Sequence, residues 1–297
     1  MLIHEHLLTA SEAVRFQFPH LYDAQEELDR AIEWTQAAKS HGVKTIGDPA
    51  CMDISRDVQL NLRVTEATDV PFVMATGVYG MHYRFLPHYF QNREIDALVG
   101  ALVHDVEEGI QGTDVRAAFL KCAADEPGIT EDVEKVHRAV AQASKRTGAP
   151  IMAHSRPASR TGLDQMALFE DEGIDPAKVQ IAHTGDTDDL DYIEELLGHG
   201  CLIGMDRYGL DMFLPTDRRN ATVVELCKRG YADRMTLSQD AVVNFDWFPP
   251  ELRPQLAPKW TFTYLFEEII PALLEAGVTQ EQIDTMLVDV PRRWLTA

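Results

Sequence analysis

Two short apolar runs that each end in a histidine lie within residues 150–184, PIMAHSRPASRTGLDQMALFEDEGIDPAKVQIAHT. We predict strands at Pro150–His154 and Val179–His183. A helical stretch between them ends near Gly173, because glycine commonly follows the last turn of a helix. A strand, a helix and a second strand form a βαβ unit, in which the two strands are parallel. The two histidines therefore end two strands at the same edge of a sheet.

The same alternation of apolar runs and helical stretches continues along the whole chain. The other predicted strands are Met1–Glu5, Val43–Asp48, Phe72–Gly77, Val115–Lys121, Cys201–Asp206 and Arg234–Asp240. Predicted helices include Glu26–Lys39, Asp132–Arg146, Leu190–Leu197 and Ala221–Lys228. Eight such units that close on themselves give an α/β fold of the (β/α)8 TIM-barrel type, and we expect one domain over residues 1–297. An open doubly wound sheet is the rival, but it would carry a glycine-rich turn where this chain has HEHLLT at residues 4–9.

The composition excludes several classes of partner. The chain has 297 residues, with 27 Lys and Arg against 48 Asp and Glu, so its formal net charge is −21. Nucleic acids and anionic membranes are therefore not expected partners. The four cysteines are far apart in the sequence, which favours reduced thiols over a disulfide framework. No apolar run reaches the ~18 residues of a membrane span and no signal peptide is visible, so we expect a cytoplasmic protein.

Six polar residues lie on the predicted strands or end them: His4, His6, Lys121, His154, His183 and Asp240. His4 and His6 are two positions apart, so their side chains share one face of a strand. Each residue alone has an ordinary explanation, such as a histidine bonded to a carbonyl, a helix-capping aspartate or a lysine that extends to the barrel rim. Together at one barrel mouth they favour a divalent metal site of the zinc type. A deprotonated Lys121 that reacts with carbon dioxide would supply a carbamate able to bridge two ions.

These residues, in this order and on these strands, resemble the binuclear site of the phosphotriesterase family in the amidohydrolase superfamily. Segments around them resemble the family as well, at residues 103–113, 123–130, 183–188 and 206–211. Residues 76–79 and 87–90 resemble the third loop of the phosphotriesterase-like lactonases in particular.

The resemblance implies two divalent metal ions, zinc first, with Co, Mn or Fe as alternatives. It implies that His4, His6 and Asp240 bind the more buried ion and that His154 and His183 bind the more exposed one. Carbamylated Lys121 and a hydroxide would bridge the two ions. Tyr79 resembles a tyrosine that faces the hydroxide, and Arg207 resembles an arginine that steadies the mouth. The hydroxide would attack the substrate, with Asp240 carrying the proton to the leaving group.

Three positions depart from the family pattern. The family normally has a further N-terminal segment, often a hairpin, before the histidine pair, and this segment is missing before His4. Gln239 stands where a histidine commonly precedes the aspartate, so we expect an altered proton path from Asp240. Val242 stands near a position that is often cysteine in the lactonases, which changes the pocket wall.

The substrate prediction depends on the loop after the eighth strand, Val243–Pro258, which is rich in proline and aromatic residues. Trp247 and Phe248 would cover an acyl chain, although the loop also fits a purely structural or dimer contact. Further aromatic and apolar candidates for the mouth are Tyr79, Met81, Tyr83, Phe85 and Tyr89. We predict a lactonase for N-acyl-homoserine lactones, active in quorum quenching, with a side activity on phosphotriesters. The alternatives are a phosphotriesterase or another ester or amide hydrolase, and a non-catalytic metal-binding barrel. The resemblance also suggests a homodimer.

Overall fold

The computed structural model describes residues 1–80 and 86–297. Its strands are β1 Glu5–Thr9, β2 Ile46–Asp48, β3 Phe72–Gly77, β4 Phe119–Ala123, β5 Ile151–His154, β6 Val179–Ala182, β7 Leu202–Met205, β8 Met235–Leu237 and β9 Ala241–Phe245. Its α-helices are α1 Glu12–Gln17, α2 Ala24–Ser40, α3 Val58–Thr68, α4 His88–Gln91, α5 Ile95–Glu107, α6 Glu131–Thr147, α7 Thr161–Asp171, α8 Leu190–Gly198, α9 Thr216–Lys228, α10 Arg253–Leu256, α11 Ile270–Glu275, α12 Gln280–Asp284 and α13 Val290–Leu295. Two π-helical segments, Leu265–Ile269 and Thr285–Asp289, lead into α11 and α13.

The strands β2 to β8 form one parallel sheet in chain order. Residues 2–4 close this sheet into a barrel, because they bond to both of its edges. The amide of Gly47 donates to the carbonyl of Leu2 at 2.7 Å, and the amide of Asp240 donates to the carbonyl of His4 at 2.9 Å. The fold is therefore a TIM barrel, as the eight predicted βα units indicated.

The two ends of the predicted strand set differ from the observed one. We predicted the first strand at Met1–Glu5, but the regular strand runs from Glu5 to Thr9 and pairs in parallel with β9. The predicted loop Val243–Pro258 begins inside β9 and contains α10. The reason is that β1 continues past the barrel wall and finds a second partner there, which a local apolar pattern does not reveal.

The other strands lie where we predicted them, and most of them differ from the prediction in length. Phe72–Gly77 is confirmed as predicted. The predicted strand Val115–Lys121 is Phe119–Ala123 in the structure, so Lys121 lies inside β4 instead of ending it. The predicted strands Val43–Asp48 and Arg234–Asp240 shorten to β2 and β8. The length of a strand is the length over which it pairs with its neighbours. This length depends on the neighbouring strands and not only on the strand's own residues.

The helices have sequence signals at both ends. In α6 the hydroxyl of Thr130 accepts from the amide of Val133, and acidic residues fill the first turn. Gly148, at φ 81°, ends the helix in the left-handed conformation that glycine adopts without a Cβ penalty. The buried face, which includes Val136 and Val140, packs on the barrel. Such helices form an outer layer around the strands.

The barrel is closed at the N-terminal ends of its strands by α13. Trp294 is 1% exposed, its ring centroid lies 5.3 Å from that of Phe119, and its indole N–H donates to the carbonyl of Lys178. Ile3 and Met152 complete this apolar plug. The opposite end, at the C-terminal ends of the strands, is the one that holds polar side chains. Within the described part of the chain, no helix is long and apolar enough to cross a membrane.

Candidate active site

The structure brings all six sequence-predicted ligand residues to one cavity of about 460 Å³ at the C-terminal mouth of the barrel. His4 and His6 come from the first strand, Lys121 from β4 and His154 from β5. His183 directly follows β6, and Asp240 lies in the short connection between β8 and β9. These residues are spread between positions 4 and 240 of the chain, so it is the barrel that assembles them.

The ring nitrogens, the amine and the carboxylate lie close together. Asp240 Oδ1 is 3.2 Å from Nε2 of His4 and 3.2 Å from Nε2 of His6. Lys121 Nζ is 3.5 Å from Nε2 of His4. One ligand atom from each of His4, His183 and Asp240 lies within 4.8 Å of the others, so these three residues can hold a metal ion. The rings of His154 and His183 are 4.5 Å apart between centroids.

Two of these residues have a left-handed backbone, which is unfavourable for side chains other than glycine. His183 has φ 64° and Asp240 has φ 49°. Each is held by a hydrogen bond from its own amide, His183 to Asp206 Oδ1 at 2.8 Å and Asp240 to the His4 carbonyl. Backbone strain of this kind is of order 1–3 kcal/mol and clusters at functional sites. Here it turns both side chains into the cavity.

The position of Lys121 depends on a glycine in the neighbouring strand. A Cβ built on Gly77 would overlap the carbonyl of Lys121, so only glycine allows β3 and β4 to approach at this point. The amide of Val78 then donates to that same carbonyl at 3.2 Å. Lys121 is 1% exposed, and its amine therefore lies inside the barrel and not at the rim.

Two buried aspartates lie behind the histidines, and one of them, Asp206, bonds to two of the rings. Asp206 accepts from Nδ1 of His4 at 2.8 Å and from Nδ1 of His183 at 3.0 Å. Asp48 Oδ1 lies 3.3 Å from Nδ1 of His6. A carboxylate behind a metal-binding histidine fixes its tautomer and leaves the other nitrogen for the metal. We did not assign Asp48 or Asp206 a role from the sequence, although each ends a predicted strand, the same signal that singled out Asp240.

The donor set fits a divalent metal. The Nδ1–H of neutral His4 donates to Asp206, so Nε2 carries a lone pair. This lone pair faces an oxygen of Asp240 at 3.2 Å, and two acceptors at that distance need a cation between them. His154 Nε2 is buried and has no hydrogen bond among the described residues, although Asp125 lies 3.6 Å away. His6 lies between Asp48 and Asp240, which outweigh burial and raise its pKa to about 9, so a metal at this ring would displace a proton. Nitrogen and carboxylate ligands of this kind are typical of zinc and related ions.

Burial disfavours the charged forms of the other nitrogen ligands. It lowers the pKa of His154 to about 4, and it lowers the pKa values of His4 and His183 as well. The pKa of Lys121 is also lowered, chiefly by burial. Because a metal binds neutral imidazole and not imidazolium, these shifts favour metal binding over protonation.

Arg207 and Tyr79 occupy the rim of the cluster, where the sequence placed them. Arg207 Nε donates to Asp240 Oδ2 at 3.0 Å, and its Nη1 donates to Asp186 at 2.9 Å. Asp186 also accepts from buried Arg219 at 3.0 Å, so Asp240 ends a row of alternating charges. The hydroxyl of Tyr79 lies 3.3 Å from Nδ1 of His154. Both residues line the cavity.

One wall of the cavity is apolar. It is formed by residues of two loops, Met212, Phe213, Trp247, Phe248 and Leu256. Phe245 at the end of β9 packs on Trp247 and Phe248, with ring centroids 5.2 and 4.7 Å apart. Val242 also lines the cavity, where we expected it to change the pocket wall.

One sequence prediction about the mouth needs correction. Tyr89 does not line the cavity: it is 59% exposed and stacks on the guanidinium of Arg93, because α4 carries it away from the barrel. The side chain of Gln239 donates to Glu5 at 3.0 Å and accepts from the amide of Leu265 at 2.8 Å, so it connects β1 to the π-helical segment Leu265–Ile269. The altered proton path that we expect from this residue stays a prediction. Met81, Tyr83 and Phe85 lie outside the described residues.

A TIM barrel whose mouth gathers histidines, a buried lysine and an aspartate defines the class of metal-dependent hydrolases. The phosphotriesterase family model matches residues 1–295. An aryldialkylphosphatase of Saccharolobus solfataricus is 48% identical, over 99% of this chain and 94% of the relative. A phosphotriesterase homology protein of Mycobacterium tuberculosis is 42% identical, over 98% of this chain and 91% of the relative. A solved structure of the phosphotriesterase from Mycobacterium tuberculosis superposes with a TM-score of 0.94 at 42% identity, covering 99% of this chain and 93% of that one. The chain belongs to the phosphotriesterase family and is a metal-dependent hydrolase.

Proposed function

We propose that the chain is a lactonase, that N-acyl-homoserine lactones are its preferred substrates, and that quorum quenching is the resulting activity. The observation that carries this proposal is the apolar wall of Trp247, Phe248 and Phe213 in the same cavity as the histidine cluster. A cavity of about 460 Å³ suits a ligand with a compact polar head and an apolar tail. The lactone ring would lie at the cluster and the acyl chain along the wall.

We assign the metal ligands as the resemblance implied. His4, His6 and Asp240 would hold one ion and His154 and His183 the other, with the carbamate of Lys121 between them. In carbamylation the neutral amine of Lys121 bonds to the carbon of carbon dioxide and releases one proton, which converts a buried base into a carboxylate. When bound, the two ions supply a water that is activated at neutral pH and a Lewis acid for the substrate carbonyl. The ion identity that we propose is zinc.

The residues of the chain move the proton and orient the groups around it. Asp240 accepts at Oδ1 the proton that the attacking water loses, and it delivers this proton to the alkoxide that leaves when the lactone ring opens. Arg207 holds Oδ2 of the same carboxylate, so that Oδ1 faces the histidines. Asp206 keeps the rings of His4 and His183 in place while the proton moves. The hydroxyl of Tyr79 faces the same space beside His154 and contacts the bound substrate.

Phosphotriester hydrolysis is the second candidate function, because the relative from Saccharolobus solfataricus is named an aryldialkylphosphatase. The residues of the cluster serve either reaction, since both release an alcohol or phenol that needs a proton. The two candidates differ in the use of the apolar wall, which a long acyl chain would fill and a compact triester would not. Other ester and amide hydrolysis and a non-catalytic metal-binding barrel are the remaining outcomes of the test.

The test is a substrate panel with the zinc-loaded protein. It compares N-acyl-homoserine lactones of increasing chain length, a short lactone, a dialkyl aryl phosphate, an aryl ester and an acyl amide. We expect the highest kcat/KM with long-chain acyl-homoserine lactones and a lower value for the phosphate. A phosphate preferred over every lactone would make the second candidate the function. Loss of turnover for the whole panel at full metal occupancy would leave a non-catalytic barrel.

A further inference from the structure

A chain of hydrogen bonds crosses the barrel wall and ends at His154. His137 on α6 and Gln165 on α7 are both 0% exposed. His137 Nδ1 lies 2.7 Å from the carbonyl of Val133, and His137 Nε2 lies 3.0 Å from Nε2 of Gln165. Gln165 Nε2 also donates to the carbonyl of His154 at 2.9 Å. Two outer helices thus reach the main chain of a predicted metal ligand.

The direction of every proton in this chain is determined by its two ends. The carbonyls of Val133 and His154 only accept, so a donor must face each of them. His137 therefore carries its proton on Nδ1 and accepts at Nε2, and Gln165 must turn its NH2 group, and not its oxygen, towards His154. Burial lowers the pKa of His137 to about 4, which keeps the ring neutral and this arrangement intact at physiological pH.

The carbonyl of His154 is held from two sides. It accepts from the amide of Ala124, which directly follows the neighbouring strand β4, at 3.0 Å. It also accepts from the side chain of Gln165, which lies outside the barrel. β5 ends at His154, so the peptide that carries the ring lies at the end of the strand ladder. The two hydrogen bonds fix that peptide plane, and with it the direction in which the imidazole enters the cavity.

Packing alone does not explain Gln165. The oxygen of its amide is buried without a hydrogen-bond partner among the described residues, and an unsatisfied buried group costs about 1–3 kcal/mol. An apolar side chain of similar volume would fill the space between α7 and the barrel without this penalty. What the amide adds is a fixed position for His154.

We propose that Gln165 is a positioning residue for His154, and that His137 orients its amide so that the imidazole is directed at the metal. The proposal rests on the metal role of His154 assigned above. Groups that orient metal ligands typically change metal affinity by about 10- to 100-fold. We therefore expect Gln165→Met to weaken the binding of one of two metal equivalents about tenfold or more, and to leave the other equivalent bound.

The chain offers a matched control in Gln180. It is 0% exposed, its amide nitrogen donates to Thr236 at 2.8 Å, and its amide oxygen also lacks a hydrogen bond among the described residues. Gln180→Met makes the same chemical change in the barrel interior without a bond to a predicted ligand. The two substitutions remove the same kind of buried amide, so they should change the unfolding temperature of the metal-free protein to a similar extent, whereas only Gln165→Met should lower metal affinity.

The experiment measures zinc content after dialysis, the rate of zinc loss to a chelator, and the visible spectrum after cobalt loading. The Gln165→Met spectrum should change, because one ion loses part of its ligand geometry, and the Gln180→Met spectrum should match wild type. Equal metal affinity and equal spectra in both variants would overturn the proposal. His154→Ala, measured in parallel, tests the underlying assignment separately: unchanged metal content there would remove His154 as a ligand.

A second pair of variants decides the question if Gln165→Met does not fold. His137→Gln keeps an acceptor near the position of Nε2, whereas His137→Leu removes it. Metal affinity should stay near the wild-type value in the glutamine variant and fall in the leucine variant. Equal affinities in these two variants would show that the orientation of Gln165 does not matter for the metal.

Discussion

The carboxylate of Asp240 contacts three different groups at the barrel mouth. One oxygen lies 3.2 Å from both His4 and His6, and the other accepts from Arg207. We expect Asp240→Asn to keep the fold, because the amide has the same shape, and to lower lactonase kcat ~100- to 10,000-fold, as removal of a general acid–base group typically does. The measurements are steady-state kinetics and circular dichroism. A loss below about threefold would remove Asp240 from proton transfer.

His137 is a titratable group away from the cluster, and it gives a prediction about pH. Burial lowers its pKa from 6.5 to about 4, so its neutral form stabilises the fold. Because the folded-state pKa is the lower one, this stabilisation is complete above about pH 6.5 and is lost as the pH falls towards 4. For a fully buried group the loss is at most about 3 kcal/mol.

The corresponding experiment compares urea unfolding of metal-free wild type and His137→Gln between pH 7 and pH 4. We expect the free energy of unfolding of wild type to fall more steeply than that of the variant, because glutamine has no proton to bind. Parallel curves for the two proteins would contradict a neutral, buried His137.

At the scale of elements, we propose that the loop after β9 determines what the cavity accepts. Asp246, at its start, accepts from the amide of Ser11 and from the hydroxyl of Tyr22, so the segment after β1 anchors this loop. Trp247 and Phe248 follow directly and line the cavity. Each methylene of an acyl chain buried against them contributes roughly 0.8 kcal/mol, so two methylenes would change kcat/KM about tenfold.

We therefore expect Trp247→Ala and Phe248→Ala to flatten the dependence of kcat/KM on acyl-chain length while a short lactone is hydrolysed almost as before. Tyr89→Ala is the matched control, since Tyr89 is an exposed aromatic residue that does not line the cavity. Equal losses for all substrates in the two loop variants would mean that the loop is structural. A wild type without any chain-length dependence would favour small lactones or phosphotriesters.

The sequence predicted the elements well where the signal is local. The helix Asp132–Arg146 has a capping threonine, a buried apolar face and a C-terminal glycine, and it is observed within one residue at each end. The predictions that fail depend on partners distant in sequence. The regular strand begins at Glu5 because β9 pairs with it, and Tyr89 leaves the mouth because α4 carries it outward.

The same distinction between local signals and distant contacts applies to the candidate site. Residues that end apolar strands were found, including His154 and Asp240, because a strand-end polar side chain is visible in the sequence itself. The groups behind them were not assigned: Asp206 needs the contact with His4 and His183, and Gln165 needs the approach of α7 to the end of β5. Such contacts join elements far apart in the chain, so spacing alone does not predict them.

At the scale of the whole molecule, one surface is unusually apolar. In α1 no residue is buried, and in the segment around it Phe16 is 82% exposed and Leu21 is 63% exposed, with Val14 and Phe18 also exposed. Large exposed apolar patches typically mark interaction sites, and four exposed apolar residues lie within eight positions here. We propose that a second copy of the chain covers it, which makes the protein a homodimer.

Light scattering coupled to size-exclusion chromatography tests this proposal. The wild type should elute with twice the mass of one chain, and Phe16→Asp should shift it towards the monomer at low concentration, because a charge is introduced into an apolar contact. Leu274→Asp, at an exposed apolar residue of α11, is the control and should leave the mass unchanged. A monomeric wild type at micromolar concentration would rule out the homodimer.

The metal should also stabilise the barrel as a whole. The proposed ligands come from the first strand, β4, β5 and the ends of β6 and β8, so bound ions would connect strands around the mouth. At the seam between His4 and Asp240, the ions would add to the 2.9 Å bond from the Asp240 amide and to the neighbouring β1–β9 pairing. An ion present at 100 times its Kd adds about 2.7 kcal/mol to the free energy of unfolding.

We expect a chelator to lower the unfolding temperature of wild type and zinc to restore it. His154→Ala should show a smaller response, because the binding of one ion is already weakened. Identical unfolding with and without chelator, in a protein shown to contain zinc, would mean that the ions do not connect the strands.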